Sequence, residues 1–133
     1  MKFLLDTDTF SEIARLRRPG LAQRLADQSL SEMAVSAITV GEIRFGFAAT
    51  PPSPLLQSRT ESLLADVVCL PLNADVAASY GLLRAHLRRL GMPTGSNDHW
   101  IAAHALSANL TLVTNNTREF ERVPGLRVEN WLR

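Results

Sequence analysis

Four places in the chain set acidic or amide side chains close behind apolar runs. Asp6 follows "FLL" and precedes Asp8 by two residues; Glu42 follows "AVS" within "TVGEIRF". Asp98 opens a segment after the loop "GMPTGSN", and Asn115, Asn116 and Glu119 come after "LTLVT". Carboxylates brought within a few ångströms of one another repel, and their pKa values rise unless a cation holds them ionised. Hard oxygen ligands of this kind suit Mg²⁺ or Mn²⁺, which keep several waters and use few carboxylates plus substrate phosphate. Such an ion can acidify a water and stabilise charge building on a phosphoryl oxygen.

Each acid also has a structural explanation. Thr9-Phe-Ser-Glu12 and Thr39-Val-Gly-Glu42 have the spacing of capping boxes, and Asp8 can itself be a helix N-cap. Ser96 or Asn97 can cap a helix that Asp98 begins, where an acid also favours the helix dipole. Asp6 stands apart, because it falls at a strand end before any helix and no capping role is obvious. Other chemistries find little support. His99 and His104 are five residues apart, about 140° around a helix, and cannot share a metal from one face. There is no phosphate-binding GxxxxGK[ST] loop and no G-x-S-x-G elbow. Ser36 and Ser96 read as ordinary strand-end or loop serines.

The elements that would position these residues alternate between strand and helix. Phe3 to Leu5 predicts a buried strand, followed by a helix to about Arg17 that "RRPG" stops. A second helix is expected from Leu21 to about Asp27, a strand around Ala34 to Ser36, and helical spacing in "TVGEIRFGF". After the loop "ATPPSP", the pattern predicts a helix from Leu55 to Asp66 and a strand from Val67 to Leu70. Val76, Tyr80, Leu83, Leu87 and Leu90 form the apolar stripe of an amphipathic helix ending at Gly91, with Arg84, Arg88 and Arg89 off the stripe. "DHWIAAHALSA" is a further helix with Asn109 as C-cap, "LTLVT" a strand, "NNTREFERVPG" a short helix and turn, and "LRVENW" a last strand. Alternation of this kind implies α/β architecture, a parallel sheet covered on both faces. Parallel sheets bind ligands outside the carboxyl ends of their strands, where the acids collect.

The 133 residues are most simply a single domain, 1–133, with one core. A hydrophobic fraction of 46% fits a globular chain. No apolar run approaches the roughly 20 residues that span a bilayer. "MKFLLDTDTF" breaks into aspartates too soon for a signal peptide, so a cytoplasmic protein without membrane contact is expected. The single cysteine, Cys69, cannot form an internal disulfide and reads as a small core residue. The net charge of +1 offers no general attraction to nucleic acid, and Lys2 is the only lysine. A phosphoacceptor signalling domain also pairs acids behind its first strand, but it needs a lysine at a later strand end, which this chain lacks.

Taken in series, "FLLDTDTFSEI", "SAITVGEIRFG", "NDHWIAAHAL" and "LVTNNTREFERVPGLRVENW" resemble the PIN-domain ribonucleases of the VapC type, toxins of type II toxin–antitoxin pairs. The resemblance runs from the first strand to Trp131. It implies a three-layer α/β/α fold with a central parallel sheet. It also implies Mg²⁺-dependent endoribonuclease activity (Mn²⁺ as an alternative) on single-stranded regions of RNA such as tRNA or rRNA, inhibiting translation and growth. Matched motif by motif, Asp6, Glu42 and Asp98 are the catalytic and metal-holding acids, and Thr7 and Thr114 support them. Where many PIN domains carry a further aspartate this chain has Asn116. Glu119, one turn on, either replaces that charge or is a surface acid paired with Arg118 or Arg122. Asp8 stands where the family more often has asparagine.

The same resemblance implies a homodimer and a VapB-type antitoxin that covers the active site, with operator DNA contacted only through the antitoxin. A second reading keeps the fold but makes the chain a partner in a DNA-binding antitoxin complex with weak or lost nuclease activity; Asn116 is the residue that favours it. For the RNA itself, Trp100 reads either as a base-stacking platform or as a buried or dimer-facing residue. Arg15, Arg17 and Arg18 could flank the groove mouth.

Overall fold

In short buried strands, successive side chains enter opposite layers, and the core of this protein divides by that period of two. The computed structural model describes residues 1–16, 19–93 and 95–132. Its elements are β1 (Phe3–Leu5), α1 (Thr7–Arg15), α2 (Pro19–Ala26), a 3-10 turn (Leu30–Glu32), β2 (Met33–Ser36), α3 (Ala37–Ala49) and α4 (Pro54–Asp66). They continue with β3 (Val68–Leu70), α5 (Ala74–Arg89), α6 (Asn97–Ser107), β4 (Thr111–Val113), α7 (Thr117–Phe120) and β5 (Val128–Glu129).

The strands form a five-stranded sheet in the order β3-β2-β1-β4-β5, with every pairing parallel. Phe3, Leu5, Met33, Val35 and Val113 face one layer, where they meet Phe10 and Ile13 of α1, Leu21 of α2, Ile43 of α3 and Leu63 of α4. Leu4, Ala34 and Leu112 face the other, against Leu83 and Leu87 of α5, Ile101 and Ala105 of α6, and Phe120 of α7. The result is the three-layer α/β/α arrangement expected. Trp131 closes the first layer, edge-on to Phe3 with ring centroids 5.0 Å apart.

The chain leaves β1 toward β2 and β3 on one side, then returns to β4 and β5 on the other. The strand order therefore reverses at β1 and β4. In an open parallel sheet that reversal leaves a crevice at the carboxyl ends, because neighbouring connections depart to opposite faces.

Several boundaries differ from the sequence expectation. Pro19 and Gly20 open α2 instead of forming only a breaker, since proline's fixed φ suits a first helical turn. Ser53 caps α4 by accepting from the Leu56 N–H at 3.2 Å, and Pro54 becomes its first residue. Val67 closes α4, so β3 starts one residue later than expected. Cys69 is exposed, not a core residue, because β3 lies at the sheet edge. The C-cap of α6 is Ala108 and not Asn109, which follows it in the left-handed conformation at φ 57° while Leu110 N–H reaches back to the Ala105 carbonyl at 2.9 Å. No helix among the described residues is long and apolar enough to cross a membrane.

Candidate active site

Asp6 is the first residue beyond β1, and its position serves two purposes. Its backbone N–H still bonds the Val113 carbonyl at 3.0 Å, extending the β1–β4 ladder by one residue. Its side chain then turns to cap α1, accepting from the Thr9 N–H at 2.8 Å. Capping therefore belongs to Asp6, contrary to the sequence reading that gave it no capping role and offered Asp8 or Thr9 instead. Asp6 is the single residue between the strand and the helix. Asp8 is left exposed in the first turn of α1.

The Asp6 carboxyl is only 7% exposed, at the crevice where the strand order reverses. Burial pushes its pKa upward and Asp8 adds to the rise; hydrogen bonds from the Thr114 side chain and from Thr9 oppose it. Thr114 directly follows β4, is itself buried, and hydrogen-bonds the Asp6 carboxyl through its side chain.

Glu42 stands well inside α3, whose N-cap is Ser36, so the Thr39–Glu42 capping box does not form. Instead Thr7 Oγ1 donates to Glu42 Oε1 at 2.6 Å, joining the start of α1 to the middle of α3. The Thr39 hydroxyl lies 3.3 Å from Thr7 Oγ1 on the same face. Asp98 sits in the first turn of α6, after Ser96, which occupies the N-cap position without a side-chain cap bond. The residue's outline is open to solvent, but the cleft walls shield its carboxyl. This desolvation raises its pKa first, followed by repulsion from Asp6, Glu42, Asp8 and Glu119. The Asp98 carboxyl is thus within electrostatic reach of Asp6, Glu42, Asp8 and Glu119.

One residue here was weighed from sequence only as a metal ligand and given no role at the site. His99, 2% exposed, accepts from the Gly95 N–H at Nδ1 (3.2 Å) and donates from Nε2 to Glu119 Oε1 at 2.8 Å. Gly95 has φ 88°, a left-handed conformation that glycine adopts without cost from a Cβ. Glu119 Oε2 in turn accepts from Asn116 Nδ2, and the Asn116 N–H donates to Thr114 Oγ1 at 3.0 Å. A chain of hydrogen bonds thus runs Gly95–His99–Glu119–Asn116–Thr114–Asp6. Among the described residues Glu119 pairs with His99 and Asn116, not with Arg118 or Arg122. The signal available in the sequence was the Asn116-x-x-Glu119 spacing of a short helix start, together with a histidine directly after Asp98. Asn115 turns away and accepts from Asn130 at 3.1 Å.

His104 is separate from this network. Buried at 2% exposure, it bonds Ser36 Oγ at 2.9 Å, and burial lowers its pKa. It holds α6 to the cap of α3. Trp100 is half-buried and stacked on Tyr80 with centroids 3.7 Å apart, so one face of its indole is already taken. Arg17 and Arg18 lie outside the described residues.

Among the described residues, no three His, Cys, Asp or Glu side chains stand close enough to form a ready-made metal cage. The donor set nonetheless fits Mg²⁺ or Mn²⁺, which bind through one or two carboxylates, waters and substrate phosphate. It is all oxygen, and burial together with neighbouring acids holds the Asp6 and Asp98 carboxyls above the usual aspartate range.

Residues 3–126 match the family model described as PIN domain. The tRNA(fMet)-specific endonuclease VapC of Salmonella typhimurium is 35% identical over 98% of this chain and 98% of its own length. Ribonuclease VapC2 of Haemophilus influenzae is 37% identical over 99% of both chains. The crystal structure of DNA-bound VapBC from Salmonella typhimurium superposes with a TM-score of 0.87 at 35% identity, covering 98% of each chain. The fold, the acids at its strand reversal and these likenesses agree: the chain belongs to the PIN-domain family and, within it, to the VapC ribonucleases.

Proposed function

We propose that this chain is a Mg²⁺-dependent endoribonuclease, with Mn²⁺ able to substitute, that acts as the toxin of a type II toxin–antitoxin pair. Residues 1–133 work as a single PIN domain. The observation that carries the reading is the convergence of Asp6, Glu42, Asp98 and Glu119 on one cleft where the sheet reverses. The relatives named for ribonuclease and tRNA(fMet)-specific endonuclease activity support RNA as the substrate class.

Asp6 and Asp98 would hold the metal, with Glu42 beside them, its carboxylate fixed by Thr7. A bound divalent ion supplies Lewis acidity toward the phosphate and lowers the pKa of a water. The protein's own part is positional. Thr114 and the Thr9 N–H keep the Asp6 carboxylate aimed across the crevice. Glu42 is placed to orient the attacking water and take its proton. In hydrolysis the water oxygen bonds to phosphorus, the bond to the leaving ribose oxygen breaks, and a proton ends on that oxygen. Glu119, which accepts from Asn116, is placed to supply the negative charge that Asn116 lacks, and this favours a nuclease over an inert, binding-only protein.

The partner side of the reading is a homodimer in the cytoplasm, silenced by a VapB-type antitoxin that alone contacts operator DNA. The DNA-bound VapBC complex supports this assignment. The deciding experiment is to induce the wild-type chain and Asp98→Asn in cells and map RNA 5′ ends. Growth arrest with new, discrete ends for wild type alone is the expected result. Identical end profiles for the two proteins would overturn it.

A further inference from the structure

Next to the acidic cleft lies a cavity of about 390 Å³, with Thr7 and Glu42 forming one wall. Arg15 of α1, Gly46 and Phe47 of α3, and Pro52 in the loop to α4 line the rest. The Thr7–Glu42 bond is thus a partition, with carboxylates on one side and a largely apolar chamber on the other. Its volume lies in the range of small-molecule sites, which join an apolar lining to a few fixed polar groups.

Two features describe its occupant. Arg15 has no carboxylate at ion-pair distance among the described residues, although it stands near the most acidic region of the molecule. An unpaired guanidinium beside an apolar wall suits a phosphate joined to a flat, stackable group. Gly46 supplies the second feature. It lines the chamber one helical turn after Glu42, and a Cβ placed there would meet no heavy atom within 4 Å. A side chain at this position would therefore enter open space at the chamber's edge.

We infer that this chamber is a nucleotide subsite: it takes one nucleoside of the RNA strand beside the scissile phosphate. The base lies against Phe47 and Pro52, and Arg15 holds the neighbouring phosphate. The inference rests on the nuclease reading of the cleft. It assigns to α3 a double role, with Glu42 facing the reaction and Gly46–Phe47 facing the substrate.

Gly46→Leu is the sharpest test, because it fills the chamber while leaving every acid in place. Leucine is also the better helix former by several tenths of a kcal/mol, so the fold is not weakened. With a short single-stranded RNA of mixed sequence as probe, Gly46→Leu is expected to raise KM about tenfold, the scale at which a pocket senses a few methylenes. Melting temperature and Mg²⁺ binding should be unchanged. Arg15→Gln should weaken binding of the same RNA, measured by fluorescence anisotropy in an Asp98→Asn background. It should also lower the slope of log affinity against log salt by about 0.7, the value for one single-strand phosphate. If wild type cleaves this RNA and both variants match it in KM and salt slope, the subsite is refuted while the nuclease stands. If the variants lose only antitoxin affinity, the chamber is a peptide site and the inference fails. Absence of cleavage by wild type would instead remove the nuclease reading on which it rests.

Discussion

The two ends of the sheet treat charge in opposite ways. At the amino ends of β4 and β5, Arg127 is held by three fixed acceptors. It donates to the Asn109 carbonyl at 2.9 Å, to Asn109 Oδ1 at 3.2 Å and to Thr111 Oγ1 at 3.3 Å. At the carboxyl ends, the acids receive hydrogen bonds from threonines, an asparagine and a histidine, but no lysine or arginine among the described residues pairs with Asp6, Glu42 or Asp98. Neutral donors orient a carboxylate without cancelling its charge. One end is built to be satisfied, the other to stay one cation short.

The largest effect should follow from removing a charge at the unsatisfied end. Asp98→Asn and Asp6→Asn are each expected to reduce RNA cleavage by more than the 10- to 100-fold typical of an outer-sphere partner. Asp6 permits a finer division, because asparagine also caps helices and alanine does not. Asp6→Ala should match Asp6→Asn in lost cleavage yet unfold with about 1 kcal/mol less stability. Equal stability of the two would mean that the cap on α1 contributes nothing.

The same contrast predicts a pH dependence. Asp6 and Asp98 have pKa values raised in the folded state, so across the window from the ordinary aspartate value upward the native state binds more protons than the unfolded one. Stability of the metal-free protein must then fall as pH rises through that window. Mg²⁺ should restore it at neutral pH, and Asp98→Asn should both raise the metal-free melting temperature and shrink the Mg²⁺ increment. Melting curves against pH, with and without Mg²⁺, check the sign. Metal-free stability that rises through the window would show the acids are not left uncompensated.

An intermediate effect is expected at His99, which touches the acidic end only through Glu119 and Gly95. His99→Ala should lower cleavage about 10- to 100-fold, as loss of an outer-sphere support does. His99→Gln, which can keep a donor near the Nε2 position, should recover part of it. A loss of kcat with KM unchanged would mark His99 as a positioning residue for the acids. A fall in melting temperature with kcat intact would reduce it to a core histidine.

Much of this was legible in the sequence because alternating strands and helices admit few arrangements. The three-layer fold follows from that alternation, and motifs placed after strands put Asp6, Glu42 and Asp98 around one crevice; the place of Thr114 beside Asp6 was implied by the resemblance to the VapC-type ribonucleases. The errors share one cause. Capping depends on where a helix begins to within a single residue, and boundaries are the least certain part of a sequence reading. Asp6 was denied a cap, and Glu42 was offered one, because α1 starts at Thr7 and α3 starts at Ala37. Cys69 was misplaced for another reason: "DVVCLPL" has a core composition, but the register that puts β3 at the edge is a tertiary fact. The His99–Glu119 pair links residues 20 apart through a loop and a strand, which no local pattern encodes.

The smallest effects separate the two ends most cleanly. Arg127→Ala should cost about 1 kcal/mol of stability, since its bonds are charge-assisted but exposed, and should leave cleavage per folded molecule unchanged. Asp8→Asn should do the reverse. Asp8 is exposed and makes no cap, so its loss leaves α1 intact, and its repulsion contributes to the raised pKa values of Asp6 and Asp98 only after burial. Removing it lowers the negative potential of the cleft without taking away a ligand. The expected change is a few-fold weaker Mg²⁺ affinity with maximal cleavage retained at saturating metal, in keeping with about 1 kcal/mol or less for a screened surface charge. Titrating cleavage against Mg²⁺ for wild type and Asp8→Asn reads that shift directly. A loss at saturating Mg²⁺ as deep as that of Asp6→Asn would make Asp8 a ligand, and would move the metal outward from the strand end toward the first turn of α1.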